Sequence, residues 1–296
     1  MYYNNQTIIF NDGKFVKASD AKTDLYSQTI HYGVGVVEGL RAYQTAQGTQ
    51  IFKAGEHFDR FHHSAKSLDI KLSYSVEELT HICYRLLEEN NLSSAYIRPL
   101  LYVGANMDMI TSDETHLMIT AWKWENYRGK EPANVMISSY QRIHPKSCNV
   151  DAKITGHYVN SVLAVNEAKS KGFDDAILLD NNGFVAEGSS SNLFYEKNGE
   201  LFTPPLGNIV PGITRQTVFE IAKEMGVKVI EKLFTPEKLY EADGAFFSGT
   251  ASEIAQIKSV NKQKFLKKWE NTLGYEVQMK YHQVVRLSEF QTYSII

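Results

Sequence analysis

Lys153 is the residue whose type and setting suit covalent chemistry, and Glu187, further along, is a carboxylate that could hold a proton in place. Lys153 stands in Asp151-Ala152-Lys153-Ile154-Thr155-Gly156, among small and apolar residues just before a helix-like stretch. A lysine held near its neutral form there is a Schiff-base nucleophile; in the open it is an ordinary solvated cation. Glu187 lies in Ala186-Glu187-Gly188-Ser189-Ser190-Ser191-Asn192, at a strand end. A carboxylate there either solvates a loop or holds a heteroaromatic nitrogen protonated. Pro211-Gly212-Ile213-Thr214-Arg215 opens an amphipathic stretch. Its first N–H groups and the Thr214 hydroxyl suit an anion, although an ordinary proline-started helix reads the same way. Ser248-Gly249-Thr250-Ala251-Ser252 is a second small-residue turn with N–H groups to offer. Arg60 is a surface residue or a phosphate clamp. Tyr96 and Arg98 alternate on a strand and share one face, which suits a carboxylate or a cross-strand ion pair.

The elements that position these residues follow from periodicity and turn chemistry. Asn11-Asp12-Gly13 between Thr7–Phe10 and Phe15–Val16 predicts a hairpin. Phe58, Phe61, Ala65 and Leu68 recur at helical spacing within 55–70. A second helix over 75–90 opens on the capping box Ser75-x-x-Glu78. Strands are expected at 96–103 and 115–122. The second half begins with a strand at 135–140 and a helix at 159–171 that stops at Gly172. Further strands are expected at 176–179, up to Glu187, and at 192–196, 200–203, 229–234, 244–248 and 253–260. Helices are expected from Pro211-Gly212 to Gly226 and over 274–287. The polar, Gly- and Pro-bearing stretch at 126–134 reads as an interdomain loop. It separates a small N-terminal domain, 1–125, from a larger C-terminal domain, 135–296.

Composition narrows the function class. The 296 residues are 43% hydrophobic and 22% charged, as in a globular protein. Lys and Arg number 31 against 34 Asp and Glu, a net charge of −3 with no basic block. No nucleic-acid or membrane-surface partner is therefore expected. No apolar run reaches the ~20 residues of a membrane helix. The opening residues show neither a basic nor an apolar leader region, and Cys83 and Cys148 read as reduced thiols. A cytoplasmic location is expected. The nine histidines form no metal-ligand spacing, so no metal is expected.

Taken in order, these segments resemble the class IV aminotransferases, the fold-type IV group dependent on pyridoxal 5′-phosphate, and most closely its branched-chain amino-acid branch. The resemblance covers about residues 20–260. It rests on His31-Tyr32-Gly33, Val37-Glu38-Gly39-Leu40-Arg41-Ala42-Tyr43, His57-Phe58-Asp59-Arg60-Phe61 and Tyr96-Ile97-Arg98-Pro99-Leu100. It continues through Ala152-Lys153, Gly156-His157-Tyr158, Glu187-Gly188, Asn192-Leu193-Phe194, Pro211-Gly212-Ile213-Thr214-Arg215 and Ser248-Gly249-Thr250-Ala251.

The resemblance implies a two-domain α+β or α/β fold, with a small α/β domain followed by a larger pseudo-barrel α/β domain. It implies transfer of the amino group of Leu, Ile or Val to 2-oxoglutarate, giving branched 2-oxo acids and L-glutamate. Lys153 would hold the cofactor covalently and shuttle the α-proton. Glu187 would pair with the pyridine nitrogen and Tyr158 with the phenolic oxygen. Arg60, the N–H groups of Ile213 and Thr214, and Thr250 would hold the phosphate. Tyr32, Val37, Arg41, Tyr96, Arg98, Thr250 and Ala251 would meet the substrates. A homodimer or larger homo-oligomer is implied. Three departures stand out, the first two bearing on specificity. Val37 stands where the family often has Phe, Ala121-Trp122-Lys123-Trp124 where it often has Pro-Trp-Gly, and His157 where Asn is common. The stretch Lys267-Lys268-Trp269-Glu270-Asn271 matches the family poorly. A D-amino-acid aminotransferase and an aminodeoxychorismate lyase share the lysine and glutamate. The former usually carries an Arg-x-His trap where this chain has Tyr96-Ile97-Arg98, and against the latter Tyr96-Ile97-Arg98-Pro99-Leu100 and Gly39-Leu40-Arg41-Ala42-Tyr43 favour the aminotransferase.

Overall fold

A computed structural model of the chain describes residues 2–124 and 132–286. They divide into two units. The first gathers 2–124, Ala152–Gly156 and 285–286, and the second 132–151 and His157–Val284. The segment that carries Lys153 thus packs with the first unit, although in sequence it lies within 135–296. Of the loop expected at 126–134, residues 126–131 lie outside the described residues, and Ala133 already begins a strand.

The first unit is a seven-stranded antiparallel sheet backed by two helices. Its elements are β1 (Ile8–Asn11), β2 (Lys14–Lys17), α1 (Gln28–Tyr32), β3 (Gly35–Val37), β4 (Leu40–Thr45), β5 (Gly48–Ile51), α2 (Ala54–Lys66), α3 (Val76–Glu89), β6 (Ala95–Val103) and β7 (Thr115–Trp122). The strand order is β2-β1-β7-β6-β4-β5, with β3 also on β6. The Asn11-Asp12-Gly13 turn forms the expected hairpin, with Asp12 and Gly13 both at positive φ. The capping box on α3 is complete: Ser75 Oγ accepts from Glu78 N–H while the Glu78 carboxylate accepts from Ser75 N–H.

Period-two alternation sorts the sheet into two faces. Val37 opposes Leu100 and Leu40 opposes Ile97, so the register of β3 carries into β4 across Glu38-Gly39. Val36, Leu40, Ala42, Ile97, Leu101, Ile119 and Ala121 fall on one face and join Phe58, Phe61, Leu79 and Leu86 of the helices in one core. Glu38 shares that phase. Val37, Gly39, Arg41, Tyr96, Arg98 and Trp122 fall on the other face, with Arg41, Tyr96 and Trp122 at one level across β4, β6 and β7.

The second unit is built on a nine-stranded mixed sheet. Its strands are β8 (Ala133–Gln141), β9 (Asp175–Leu179), β10 (Val185–Gly188), β11 (Asn192–Lys197), β12 (Glu200–Thr203), β13 (Val229–Glu231), β14 (Gly244–Gly249), β15 (Glu253–Val260) and β16 (Gln263–Lys264). Its helices are α4 (Tyr158–Ser170), α5 (Ile213–Glu224), α6 (Pro236–Tyr240) and α7 (Leu273–Val284). The order is β10-β9-β8-β15-β14-β11-β12-β13, with β16 on β15. The pairs β8–β9, β8–β15 and β12–β13 are parallel, and the rest are antiparallel. Ala164 and Ala168 of α4 lie in a small cluster with Met136, Ala176 and Leu178, so small residues let the helix approach β8 and β9 closely.

Sequence and structure differ in a few elements. The strand expected over 229–234 stops at Glu231, after which Pro236 starts α6. The helix expected over 55–70 ends at Lys66, and Asp69 then takes a positive φ. The five-residue α1 and α6 are too short for periodicity to register. No helix of the described residues is long and apolar enough to cross a membrane. Among the described residues no group of three or more His, Cys, Asp or Glu could hold a metal ion.

Candidate active site

In the first unit the Lys153 segment runs as an added edge beside β3. Lys153 N–H donates to Ser64 Oγ at 2.9 Å, and the Lys153 carbonyl accepts from Val37 N–H at 3.0 Å. Ile154 bridges Val36, and the Thr155 hydroxyl bonds the carbonyls of Gly33 (2.6 Å) and Gly35 (3.1 Å). Gly156 packs closely here: a Cβ would meet the Gly33 carbonyl oxygen at 3.2 Å. The backbone on both sides of Lys153 is therefore fixed, which orients the side chain through its main chain.

Helix α2 turns His57, Arg60 and Ser64 toward this segment and toward Glu38. Glu38 is the charged residue in the core phase of the sheet, and it is fully buried. Its carboxylate accepts from Arg60 Nε (2.8 Å) and Nη2 (3.0 Å), from His57 Nδ1 (2.5 Å) and from Gly39 N–H (3.2 Å). Burial alone would raise the Glu38 pKa, but Arg60, His57 and Lys153 outweigh it and hold it at about 2. Burial pushes the His57 pKa down despite the adjacent carboxylate. The arrangement is thus an ionised glutamate, a neutral histidine that donates to it, and an arginine that supplies the countercharge.

The opposite face of the same sheet carries the residues expected to meet substrate. Arg98 Nη2 donates to Tyr96 Oη at 3.1 Å, and its guanidinium lies 5.3 Å from the Tyr96 ring centroid. The two side chains are thus joined by a hydrogen bond along one strand. Tyr96 packs against Trp122 and Trp124, each at 5.2 Å between centroids. Arg41 stacks on Tyr43 and donates to the Trp124 carbonyl at 3.3 Å. Gly39 makes room for Tyr96: a Cβ at this position would lie 2.0 Å from the Tyr96 hydroxyl oxygen. Val37 is buried beside them, and Tyr32 is half exposed with its hydroxyl on the Met107 carbonyl at 3.3 Å.

In the second unit Glu187 lies in β10 and is buried. Its Oε1 accepts from Arg142 Nε at 2.6 Å, and its Oε2 accepts from Asn192 Nδ2 at 3.1 Å. Asn192 also donates to the Val210 carbonyl at 2.9 Å, which ties Glu187 to the loop before α5. That loop leads to Gly212, the N-cap of α5, which has no side chain to cap the helix. A Cβ at Gly212 would strike Asn192 Oδ1 at 2.0 Å. Ile213 and Thr214 therefore begin a bare helix start, a ready anion site. Arg215 faces elsewhere, onto the Pro204 carbonyl and Glu231.

Thr250 and Ala251 form the turn between β14 and β15. Ser191, Ser248 and Ser252 stand around it, each with a buried hydroxyl that meets no partner within the described residues. Tyr158 is the first residue of α4, and His157 is its N-cap. Burial and the nearby Arg142 hold the His157 pKa at about 4.

This donor set fits pyridoxal phosphate. The first unit offers an oriented lysine amine suited to its aldehyde, and the second, by itself, a carboxylate anchored in its own ion pair, a bare helix start and a turn with unsatisfied hydroxyls suited to its ring nitrogen and phosphate. Sequence reasoning missed Glu38, His57, Ser64, Arg142 and Asn192. For Glu38 a signal existed, since a carboxylate in phase with Val36, Leu40 and Ala42 belongs to a buried position.

Known proteins are similar to this chain in sequence and in fold. Residues 35–260 match the family model for amino-transferase class IV. The chain is 42% identical over 263 residues to the branched-chain-amino-acid aminotransferase of Pseudomonas aeruginosa, covering 87% of this chain and 86% of that one. The crystal structure of the Escherichia coli branched-chain amino acid aminotransferase superposes with a TM-score of 0.91 at 36% identity, covering 95% of each chain. The branched-chain amino acid aminotransferase of Thermobaculum terrenum, solved in its pyridoxal phosphate form, superposes with a TM-score of 0.88 at 26% identity, over 95% of this chain and 94% of that one.

Proposed function

The chain belongs to the class IV aminotransferases, and on that premise we propose that it moves the amino group of L-leucine, L-isoleucine or L-valine to 2-oxoglutarate, with pyridoxal 5′-phosphate as cofactor. The observation that carries the substrate reading is the Tyr96–Arg98 pair set among Trp122, Trp124 and Val37, a carboxylate receptor framed by apolar walls. Relatives that share the name branched-chain-amino-acid aminotransferase at about 40% identity support it.

Each residue then has a task. Lys153 would hold the cofactor through its Nζ, and that Nζ, once displaced by the substrate amine, would move the proton at the substrate Cα. Glu187, fixed by Arg142, holds the proton on the ring nitrogen. Tyr158 hydrogen-bonds the phenolic oxygen. Arg60, the N–H groups of Ile213 and Thr214, and Thr250 hold the phosphate. Tyr32, Arg41, Tyr96, Arg98 and the N–H groups of Thr250 and Ala251 receive substrate carboxylates, while Val37 bounds the alkyl pocket. When bound, pyridoxal phosphate supplies the sink for the electron pair released at Cα.

The domain reading that goes with this function is a cofactor-binding larger domain, 135–296, and a smaller domain, 1–125, joined by 126–134. The enzyme works as a homodimer or larger homo-oligomer in the cytoplasm. Leu25, Tyr26, Met109 and Ile110 support the association: they are exposed apolar residues of the first unit. Gln28 Nε2 draws them together by donating to the carbonyls of Asp108 and Ile110. The unpaired thiols Cys83 and Cys148 suit a reducing compartment.

The test is product analysis of the cofactor-loaded protein. L-Leucine with 2-oxoglutarate is expected to give 4-methyl-2-oxopentanoate and L-glutamate in equal amounts. D-Alanine used in preference to L-leucine would replace this reading with a D-amino-acid aminotransferase. Pyruvate released from aminodeoxychorismate without an amino acceptor would replace it with a lyase.

A further inference from the structure

Glu38 and His57 have no place in the roles assigned so far, yet they are among the most deeply buried polar side chains of the first unit. A carboxylate in the core phase of a sheet carries a desolvation penalty that an apolar residue would avoid. Such a group is expected to serve orientation, because stability is better supplied by packing. Its geometry names what it orients. The two Glu38 oxygens engage Arg60 through Nε at 2.8 Å and Nη2 at 3.0 Å, a fork that fixes the plane and direction of the guanidinium. His57 Nδ1 braces the carboxylate from the next turn of α2, and Gly39 N–H bonds it from its own strand. The Glu38 backbone is itself fixed by its N–H on the Pro99 carbonyl at 3.0 Å.

We propose that Glu38, braced by His57, is the positioning residue for Arg60, setting its guanidinium in one orientation for the phosphate of the cofactor. The proposal rests on the reading that pyridoxal phosphate binds with its phosphate at Arg60. A carboxylate beside an arginine lowers its net charge toward a second anion, so the gain comes from a fixed direction rather than added charge. The Glu38–His57–Arg60 trio thereby acts on cofactor retention, and only through it on turnover.

The experiment is a double-mutant cycle read by cofactor affinity. Glu38→Gln, Arg60→Ala and the double variant are prepared as apoproteins and their pyridoxal phosphate dissociation constants measured by equilibrium dialysis. The phosphorus NMR signal of the bound phosphate is recorded in parallel. Glu38→Gln is expected to weaken binding about tenfold, the scale of a charged hydrogen bond, and to shift or broaden the phosphorus signal. In the Arg60→Ala background it is expected to add less than about a further twofold. His57→Asn, which keeps an N–H donor near the Nδ1 position, is expected to stay close to wild type, whereas His57→Leu follows Glu38→Gln. Full multiplication of the two effects in the double variant would overturn the proposal. So would wild-type affinity and an unchanged phosphorus signal in folded Glu38→Gln. Should Glu38→Gln fail to fold, His57→Leu and Arg60→Ala form the same cycle with the same two deciding outcomes. Wild-type protein that binds no pyridoxal phosphate would overturn the underlying reading and the inference together; normal wild-type binding with an indifferent Glu38→Gln overturns the inference alone.

Discussion

Arg142 Nε meets Glu187 Oε1 at 2.6 Å, and both side chains are only 7% exposed. The pair fixes the carboxylate proposed to face the pyridine nitrogen. Removing one partner leaves a buried charge uncompensated. Arg142→Ala is therefore expected to destabilise the protein by about 3 to 5 kcal/mol. Arg142→Met combined with Glu187→Met is expected to cost less than Arg142→Ala alone, because no charge is stranded. Urea unfolding of the apoproteins measures both.

Lys153 is held by its main chain, through Ser64 Oγ and Val37 N–H, so its side chain can be removed without loosening the segment. Lys153→Ala is expected to retain the wild-type circular dichroism spectrum and to lose turnover by several orders of magnitude. Ser64→Ala removes the acceptor for Lys153 N–H and is expected to lower stability by about 1 kcal/mol. Initial rates and melting curves separate the two effects.

Gly39 has room only for a hydrogen beside Tyr96 Oη. Gly39→Ala is expected to displace Tyr96 from Arg98 and to raise the KM for 2-oxoglutarate about tenfold, the scale of a lost charged hydrogen bond. Cofactor affinity is expected to change less than this KM, since Tyr96 lies on the sheet face away from Arg60 and Gly39 reaches the Glu38 carboxylate only through its backbone N–H. Steady-state kinetics with dialysis of the cofactor checks this.

Acid sensitivity follows from three groups. The folded-state pKa values of His57 and His157 are lowered, so the unfolded chain binds more protons below pH 6.5 and stability falls as pH drops from there. For His157 the loss runs down to about pH 4. Glu38, ordinarily near 4.5 and held at about 2, stabilises the fold above pH 4.5, a contribution lost as pH falls through 2. His157→Asn is expected to flatten the decline in Tm between pH 6.5 and 4 relative to wild type.

The two thiols should separate cleanly. Cys83 is buried in the first core, and burial pushes its pKa up, whereas Cys148 is exposed. One thiol is expected to react with a disulfide reagent in the native protein and two after denaturation.

Much of this fold is legible in the sequence because it is written in local signals. The Asn-Asp-Gly hairpin, the capping box of α3 and the α5 start after Pro211-Gly212 each depend on residues within one turn of each other. The alternation that places Tyr96 and Arg98 on one face is legible for the same reason. The partners of the site residues are not, because they come from distant segments. Nothing near Glu187 in sequence points to Arg142, and nothing near Lys153 points to Ser64. Glu38 is intermediate: the strand phase marks it as buried, but only the packing of α2 against β3 and β4 shows that His57 and Arg60 meet it.

The measurement that tests the central claim most directly is the visible spectrum of the cofactor-loaded protein during single half-reactions. L-Leucine is expected to bleach the visible band of the bound cofactor and 2-oxoglutarate to restore it, in wild type and not in Lys153→Ala. A band that D-alanine bleaches and L-leucine leaves unchanged, or a Lys153→Ala variant that cycles like wild type, would contradict the account.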